Sequence, residues 1–310
     1  MERFLRRDPA LKIIKVFEKE YPSSTYYVGL THLNIHIGNM RRNFDTARKL
    51  AMYMYGFEPA ILVLPYMQPY GPIHTKITEQ NRTRFKTYFL SLRSWYLRDL
   101  LAVARNYGIN IAIPGILERA GSRKFISAIY LPGSFDEKPV VHRKVILDDR
   151  EEELGLSAGK LPKVFTLGDV EFSMVIDSEL FYPELSRVYS VLADFIVAGL
   201  PQNEPLKRYL NAIKLVSQIT GFTILVPGSR VYSSNKLYYT TPTLIVSEGD
   251  IVFKYNEEEQ AIIFVPIEKL VRSNKSVDKY ILKLLSILRK YLAKKVERSG
   301  TRKGNSYKNG

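Results

Sequence analysis

The hydrophobic run "FSMVI" ends in three polar residues, Asp177, Ser178 and Glu179, and a Phe-Tyr-Pro-Glu turn then leads into a helix. A carboxyl group can take or give a proton, and a serine hydroxyl can be acylated when a base activates it, so this acidic strand end is a candidate reactive centre. What the chain lacks narrows the chemistry. It has no cysteine, which excludes disulfides, thiolate metal sites and a cysteine nucleophile together. Of its four histidines, His32 and His36 share one face of a predicted strand but stand roughly 13 Å apart, too far for one metal ion. His74 and His142 have no visible triad partners, so packing or surface roles are expected for them. "VPGSR" at Val226 to Arg230 and "SEGD" at Ser247 to Asp250 read as turns between strands, since neither leads into a helix as a phosphate loop would. No metal and no cofactor is expected.

The elements that must position these groups alternate between strand and helix. Asp8-Pro9 predicts the start of a short helix with Leu11, Ile14 and Phe17 at helical spacing, an N-terminal extension over residues 1–24. "YYVGLTHLNIHI" alternates as a strand and closes at Gly38-Asn39, ahead of a helix around Asn43 to Tyr55. Continuous apolar runs then recur, among them "AILVLP", "INIAIPGIL", "FSMVID", "ADFIVAGL", "FTILVPGS" and "AIIFVP", which imply strands buried on both faces. Helices are predicted between them, one over Arg84 to Asn106 with Phe85, Phe89, Leu92, Tyr96, Leu100 and Val103 on a core-facing stripe, another over Glu204 to Thr220. The pattern is that of an α/β layered domain.

With 310 residues, 45% hydrophobic and 25% charged, the chain has the make-up of a soluble globular protein of one large domain or at most two. No apolar run is long enough to span a membrane and charges interrupt the N-terminus, so a cytoplasmic protein without membrane contact is expected. Abundant Lys, Arg, Ile and Tyr give it a thermophile-like composition.

The charge is uneven. From Arg272 onward twelve lysines and arginines face two acids, a net +10 of the chain's +15. Val277, Tyr280, Ile281, Leu284, Leu285, Leu288 and Leu292 predict a helix over residues 272–297, followed by a basic flexible tail over 298–310. Two readings stay open for Lys279, Lys283, Lys290, Lys294, Lys295, Arg298, Arg302 and Lys303: a solvated helix face and tail, or a surface for nucleic acid or another polyanion.

Over roughly Tyr26 to Lys269 the sequence resembles the carbon-nitrogen hydrolases, the nitrilase superfamily. The pieces occur in family order: "VGLTHLNIHIGNMRRNFDTA", "AILVLPYMQPYG", "HRKVIL", and Pro183-Glu184-Leu185 with Arg187 and "LADFIVAG". The resemblance implies an α-β-β-α sandwich over residues 25–271, a homodimer or larger assembly, and a site built from a glutamate base, a lysine and a cysteine nucleophile, often with a second glutamate. Carried over by position, the lysine is Lys144, the first glutamate is replaced by Tyr66, the cysteine is replaced by Asp177, and the second glutamate falls within Glu151 to Glu153, with Glu153 the choice.

These departures bear on the chemistry. A carboxylate attacking an amide would form an anhydride more reactive than its substrate, and a tyrosine with an ordinary pKa of about 10 is a poor base near neutrality. Ser178, one step beyond the nucleophile position, should point away from Lys144 if it continues the strand. A structural role follows naturally, with Asp177 balancing the charge of Lys144 and Tyr66 filling the space of a shorter acid. The leading expectation is a catalytically inactive nitrilase-fold protein, a pseudoenzyme acting as a binding or assembly component. The alternative is a divergent carbon-nitrogen hydrolase using Lys144, Asp177 and Glu153 in altered roles.

Overall fold

The computed structural model describes residues 11–21, 26–55, 59–72, 85–201, 205–271 and 283. The chain divides into two units, Met1–Ser273 and Asn274–Gly310. Of the second, only Lys283 is described, and it is helical and exposed. The predicted C-terminal helix and tail otherwise lie outside the described residues, with Lys279, Lys290, Lys294, Lys295, Arg298, Arg302 and Lys303. So does His74.

In chain order the strands are β1 (Leu11–Lys15), β2 (Tyr27–His36), β3 (Pro59–Val63), β4 (Asn110–Ala120), β5 (Arg123–Leu131), β6 (Val140–Arg143), β7 (Val164–Leu167) and β8 (Val170–Ile176). They continue as β9 (Phe195–Gly199), β10 (Thr223–Val226), β11 (Gly228–Ser233), β12 (Lys236–Thr241), β13 (Thr243–Ser247), β14 (Asp250–Tyr255) and β15 (Gln260–Pro266). The helices are α1 (Met40–Met54), α2 (Trp95–Tyr107), α3 (Asp149–Glu153), α4 (Pro183–Ser190) and α5 (Leu206–Thr220). Nine strands form one sheet, in the order β1-β15-β2-β3-β4-β5-β6, with β11 also paired to β2 and β12 to β11. Six form the other, in the order β14-β13-β10-β9-β8-β7.

The two sheets meet where β4 and β5 face β8 and β9, while α1 and α2 cover the first sheet and α5 covers the second. The layers are therefore α-β-β-α. Successive strand residues point to opposite faces, and the apolar runs of the second sheet are sorted accordingly. Met174, Ile176, Phe195, Val197, Leu225 and Ile245 join the core shared with the first sheet. Their neighbours Val175, Ile196, Ala198, Ile224, Val226 and Leu244 pack with Tyr209, Ile213 and Val216 of α5. An aromatic stack ties the sheets together: Phe172 lies between Phe165 and Phe195, with centroids 5.3 and 5.2 Å away, and Tyr130 of the first sheet meets it edge-on at 6.0 Å.

Two elements differ from the sequence expectation. Leu11–Lys15 is a strand and not part of a helix, pairing in parallel with β15 from Leu11↔Gln260 to Lys15↔Phe264. The open edge of β15 offers backbone partners, and two consecutive β-branched isoleucines suit a pleated surface, so pairing overrides the helical spacing of Leu11 and Ile14. The long helix expected from Arg84 is divided as well. Lys86–Tyr88 is a single 3-10 turn. Leu90 then pairs with β4, accepting from Arg119 N–H and donating to the Leu117 carbonyl, both at 2.9 Å. Only from Trp95 does the helix run, and Leu92, assigned to its buried stripe, is exposed.

Candidate functional site

Lys144 lies just past the end of β6, with its backbone held on both sides: its N–H donates to the Ile126 carbonyl at 2.8 Å and its carbonyl accepts from Gly159 N–H at 2.7 Å. The side chain is fully buried. Its ammonium donates to both oxygens of Glu151, at 2.6 and 2.7 Å, and stands 3.9 Å from Asp177 Oδ2. Glu151 owes its position to a capping box. Asp148 Oδ1 accepts from Glu151 N–H, and Glu151 Oε2 accepts from Asp148 N–H, both at 2.9 Å, which fixes the short helix α3 and turns the carboxylate inward. The acid that meets Lys144 is therefore Glu151, whereas Glu153, chosen from the sequence, is exposed at the end of α3.

Asp177 follows β8 directly. It opens a 3-10 turn, Asp177–Phe181, with φ of 51°, in the left-handed region that side chains with a Cβ seldom adopt. Such a conformation costs on the order of 1–3 kcal/mol and persists where its surroundings hold it. Here Tyr209 of α5 donates its hydroxyl to Asp177 Oδ1 at 2.5 Å. Glu179 holds the other side: fully buried, it accepts from Ile176 N–H at 3.0 Å and from Val145 N–H at 2.7 Å. One carboxylate thereby ties the residue after Lys144 to the residue before Asp177. His142 joins it, with Nε2 3.5 Å from Glu179 Oε2 and 3.3 Å from the Tyr189 hydroxyl.

Tyr66 is also buried, in the turn after β3, where Met67 takes φ of 52°. Its ring occupies a slot that glycines create. A Cβ on Gly115 of β4 would fall 2.3 Å from two Tyr66 ring carbons, and one on Gly199 of β9 would fall 2.9 Å from the same ring. Gly115→Ala is accordingly expected to destabilise the fold by about 1–3 kcal/mol through overpacking. In a Tyr66→Ala background the penalty should largely vanish, and chemical denaturation of the four proteins checks the coupling.

The electrostatics follow from two carboxylates sharing one ammonium in a dry place. Burial pushes Glu151 up to about 7, with the Asp177 charge adding to the rise, although Lys144 pulls the other way. Burial opposes the Lys144 charge, yet Asp177 and Glu151 outweigh it and hold the lysine above its ordinary range. Tyr66 is driven well above the usual phenol range, first by burial and then by the charges of Asp177 and Glu151, so it stays neutral and cannot serve as a base.

Ser178 belongs to the 3-10 turn and not to a continuing strand, so strand alternation does not govern its direction. Among the described residues its buried Oγ has no hydrogen-bond partner, and an activated hydroxyl needs a base within reach. His32 is buried, 3.2 Å from Thr243 Oγ1 and edge-on to Tyr255, and burial lowers it to about 4, so it is neutral. His36 stacks on Tyr232 with centroids 5.4 Å apart. No group of three or more potential metal ligands occurs among the described residues.

No protein-family description and no curated protein sequence matches this chain. Solved structures do match. A mutant of an amidase from Nesterenkonia sp. AN1, with acrylamide added to its active-site cysteine, superposes with a TM-score of 0.67 at 14% identity, over 86% of this chain and 99% of that one. The same amidase after tag removal gives 0.63 at 14% identity and the same coverage, and a cysteine-to-alanine mutant of it in complex with butyramide gives 0.61 at 14%, over 80% and 94%. The fold is the nitrilase-like α-β-β-α sandwich.

Within this nitrilase-like fold, three positions that the sequence resemblance matched to catalytic residues, Lys144, Asp177 and Tyr66, converge around one buried point, together with Glu151. That amidase is described with an active-site cysteine, and this chain contains none, so attack by a thiolate is closed to it. Sequence reasoning did not anticipate Tyr209, Glu151 as the direct partner, or the Glu179 tie. For Glu151 a signal was present: Asp148-x-x-Glu151 is a capping-box pattern, which points the glutamate of the first turn back toward the chain entering the helix.

Proposed function

We propose that this chain is a nitrilase-fold protein without carbon-nitrogen hydrolase activity, serving as a binding or assembly component. The observation that carries the reading is the closed ion cluster. Lys144 donates to both oxygens of Glu151 with Asp177 3.9 Å away, and the buried Tyr66 lies close enough to feel the charges of Asp177 and Glu151. The chain also has no cysteine to attack a substrate, and Tyr66, held neutral, supplies no base. The basic C-terminal end, +10 net from Arg272 onward, is the leading candidate for the binding role, with a polyanion as partner. Self-association, implied by the resemblance, and a cytoplasmic setting belong to the same proposal.

The test is a panel of aliphatic and aromatic amides and nitriles incubated with the full chain. No turnover above buffer is expected. Turnover that disappears in Lys144→Ala would establish the divergent hydrolase instead, with Lys144, Asp177 and Glu151 in altered roles. For the C-terminal end, retention on heparin should fall steeply with salt and drop when Lys294, Lys295, Arg298, Arg302 and Lys303 are replaced together by glutamine. Unchanged retention would remove that surface from the proposal.

A further inference from the structure

Helices α1 and α2 run side by side in the same direction. At one end Phe44 of α1 meets Trp95 and Tyr96 of α2 with centroids 5.6 and 5.5 Å apart. At the other, Tyr55 meets Tyr107 at 5.9 Å. Both N-termini therefore emerge together. Helix N-termini favour acids, each worth about 0.3–1 kcal/mol, yet neither first turn contains one. Exposed cations stand there instead: Arg41 and Arg42 in the first turn of α1, Arg98 one turn into α2, and Arg93 just ahead of α2.

Contacts within the fold account for only part of this placement, since the Arg41 guanidinium lies 6.0 Å from the Phe44 ring and 5.9 Å from the Trp95 ring. Arg42 and Arg93 form no ion pair among the described residues, Arg41 reaches Asp45 only at 3.8 Å, and Arg98 pairs with Asp99 at 2.9 Å. Arg41 and Arg42 stand at the positive end of α1, the helix they begin, and Arg93 and Arg98 add to the local potential, which Asp45 and Asp99 offset only in part. A surface that stores such repulsion is relieved by an anion. The residue type narrows which anion, because guanidinium groups match phosphate oxygens two at a time. Aromatic surface lies among them. Trp95, the sole tryptophan of the chain, is 36% exposed, with the Arg41 guanidinium 5.9 Å from its ring. Arginines that track a phosphate chain beside an aromatic face that accepts a base are the components of single-strand recognition.

We propose that the paired N-terminal ends of α1 and α2 form a second binding surface, for single-stranded nucleic acid, separate in sequence from the basic C-terminal end. It rests on the folded body and stands whether or not the C-terminal end binds anything. Contacts are to phosphates through Arg41, Arg42, Arg93 and Arg98, with one base stacking against Trp95, so affinity falls with salt and depends little on sequence.

Because the chain has one tryptophan, its emission reports directly on this surface. The experiment titrates the full chain with a twenty-nucleotide oligothymidylate at low salt, following Trp95 fluorescence and the anisotropy of a labelled strand. Saturable quenching of Trp95 is expected. In a full chain carrying the five C-terminal glutamine substitutions, Arg41→Glu/Arg42→Glu should weaken the anisotropy affinity at least tenfold and lower the salt slope by roughly 1.4, at about 0.7 per lost phosphate contact. This pair adds acids where the helix dipole favours them, which offsets the lost Arg41–Asp45 contact, and thermal unfolding of the variant checks that misfolding does not mimic the loss. The glutamine substitutions at the C-terminal end should leave Trp95 quenching in place. Absence of quenching, or quenching unaffected by Arg41→Glu/Arg42→Glu, would overturn the proposal. So would a blue shift of Trp95 with phosphatidylserine vesicles in the absence of any response to the oligonucleotide, which would assign the surface to an anionic membrane.

Discussion

Lys144→Met is expected to lower the unfolding free energy by about 3–5 kcal/mol at pH 7, the range found when one partner of a buried ion pair is removed. Methionine preserves most of the volume, so the loss is electrostatic: Glu151 and Asp177 are left buried beside each other without a cation. They can escape only by taking up protons, and forcing a carboxylic acid to stay protonated far above its ordinary pKa costs about 1.4 kcal/mol per pH unit. The deficit therefore grows with pH above about 4 and shrinks toward it. Adding Glu151→Gln and Asp177→Asn to Lys144→Met should recover much of the stability, since a neutral cluster needs no counter-charge. In the unsubstituted protein the raised Lys144 pKa acts at the other end of the scale. Its stabilisation is complete below the ordinary lysine value of 10.5 and is lost as pH rises through the higher folded value. Urea unfolding of these variants from pH 4 to 8 decides the matter. A Lys144→Met protein as stable as the parent at pH 7 would mean that the cluster carries no structural charge, and the argument for a neutralised centre would fall with it.

The layers of the fold were legible because doubly buried strands leave continuous apolar runs, and six of these runs fall on or overlap strands of the two sheets. Illegible stretches were those where a partner remote in sequence decides. Leu11–Lys15 has helical spacing, but the free edge of β15, about 250 residues on, makes it a strand. Leu92 fits a helical stripe, but the pairing of Leu90 with β4 interrupts the helix before it can form. The site divides in the same way. Lys144, Asp177 and Tyr66 could be placed because their neighbours keep motif order, while Tyr209 arrives from a helix 32 residues further on with nothing local to announce it. The choice between Glu151 and Glu153 turned on capping geometry, a local signal that a loose alignment in that loop obscured.

Glu151 offers the sharpest pH dependence. Its carboxyl is pushed by burial from an ordinary 4.5 to about 7, so the folded protein binds a proton there more tightly than the unfolded chain does. A raised carboxyl pKa makes folding less favourable once the unfolded chain has released its proton. The penalty is absent below about pH 4.5, accumulates between 4.5 and 7, and is constant above 7. Integrated over that window it amounts to about 3 kcal/mol, at 1.36 kcal/mol for each pH unit. Glu151→Gln removes the titrating group but keeps an oxygen for Lys144, and it leaves that lysine matched one to one with Asp177. Relative to the parent, the variant should therefore be about as stable at pH 4.5, where Glu151 is itself protonated in the folded protein, and gain about 1–3 kcal/mol by pH 7. The physical reason is that Glu151 is buried and shares one ammonium with a second carboxylate, and in such a site taking up a proton relieves both the desolvation and the like-charge repulsion. Parallel stability curves for the two proteins between pH 4.5 and 7 would show Glu151 ionised throughout. Lys144 would then be paired with Glu151 as a simple salt bridge, with Asp177 at 3.9 Å and held by the Tyr209 hydroxyl.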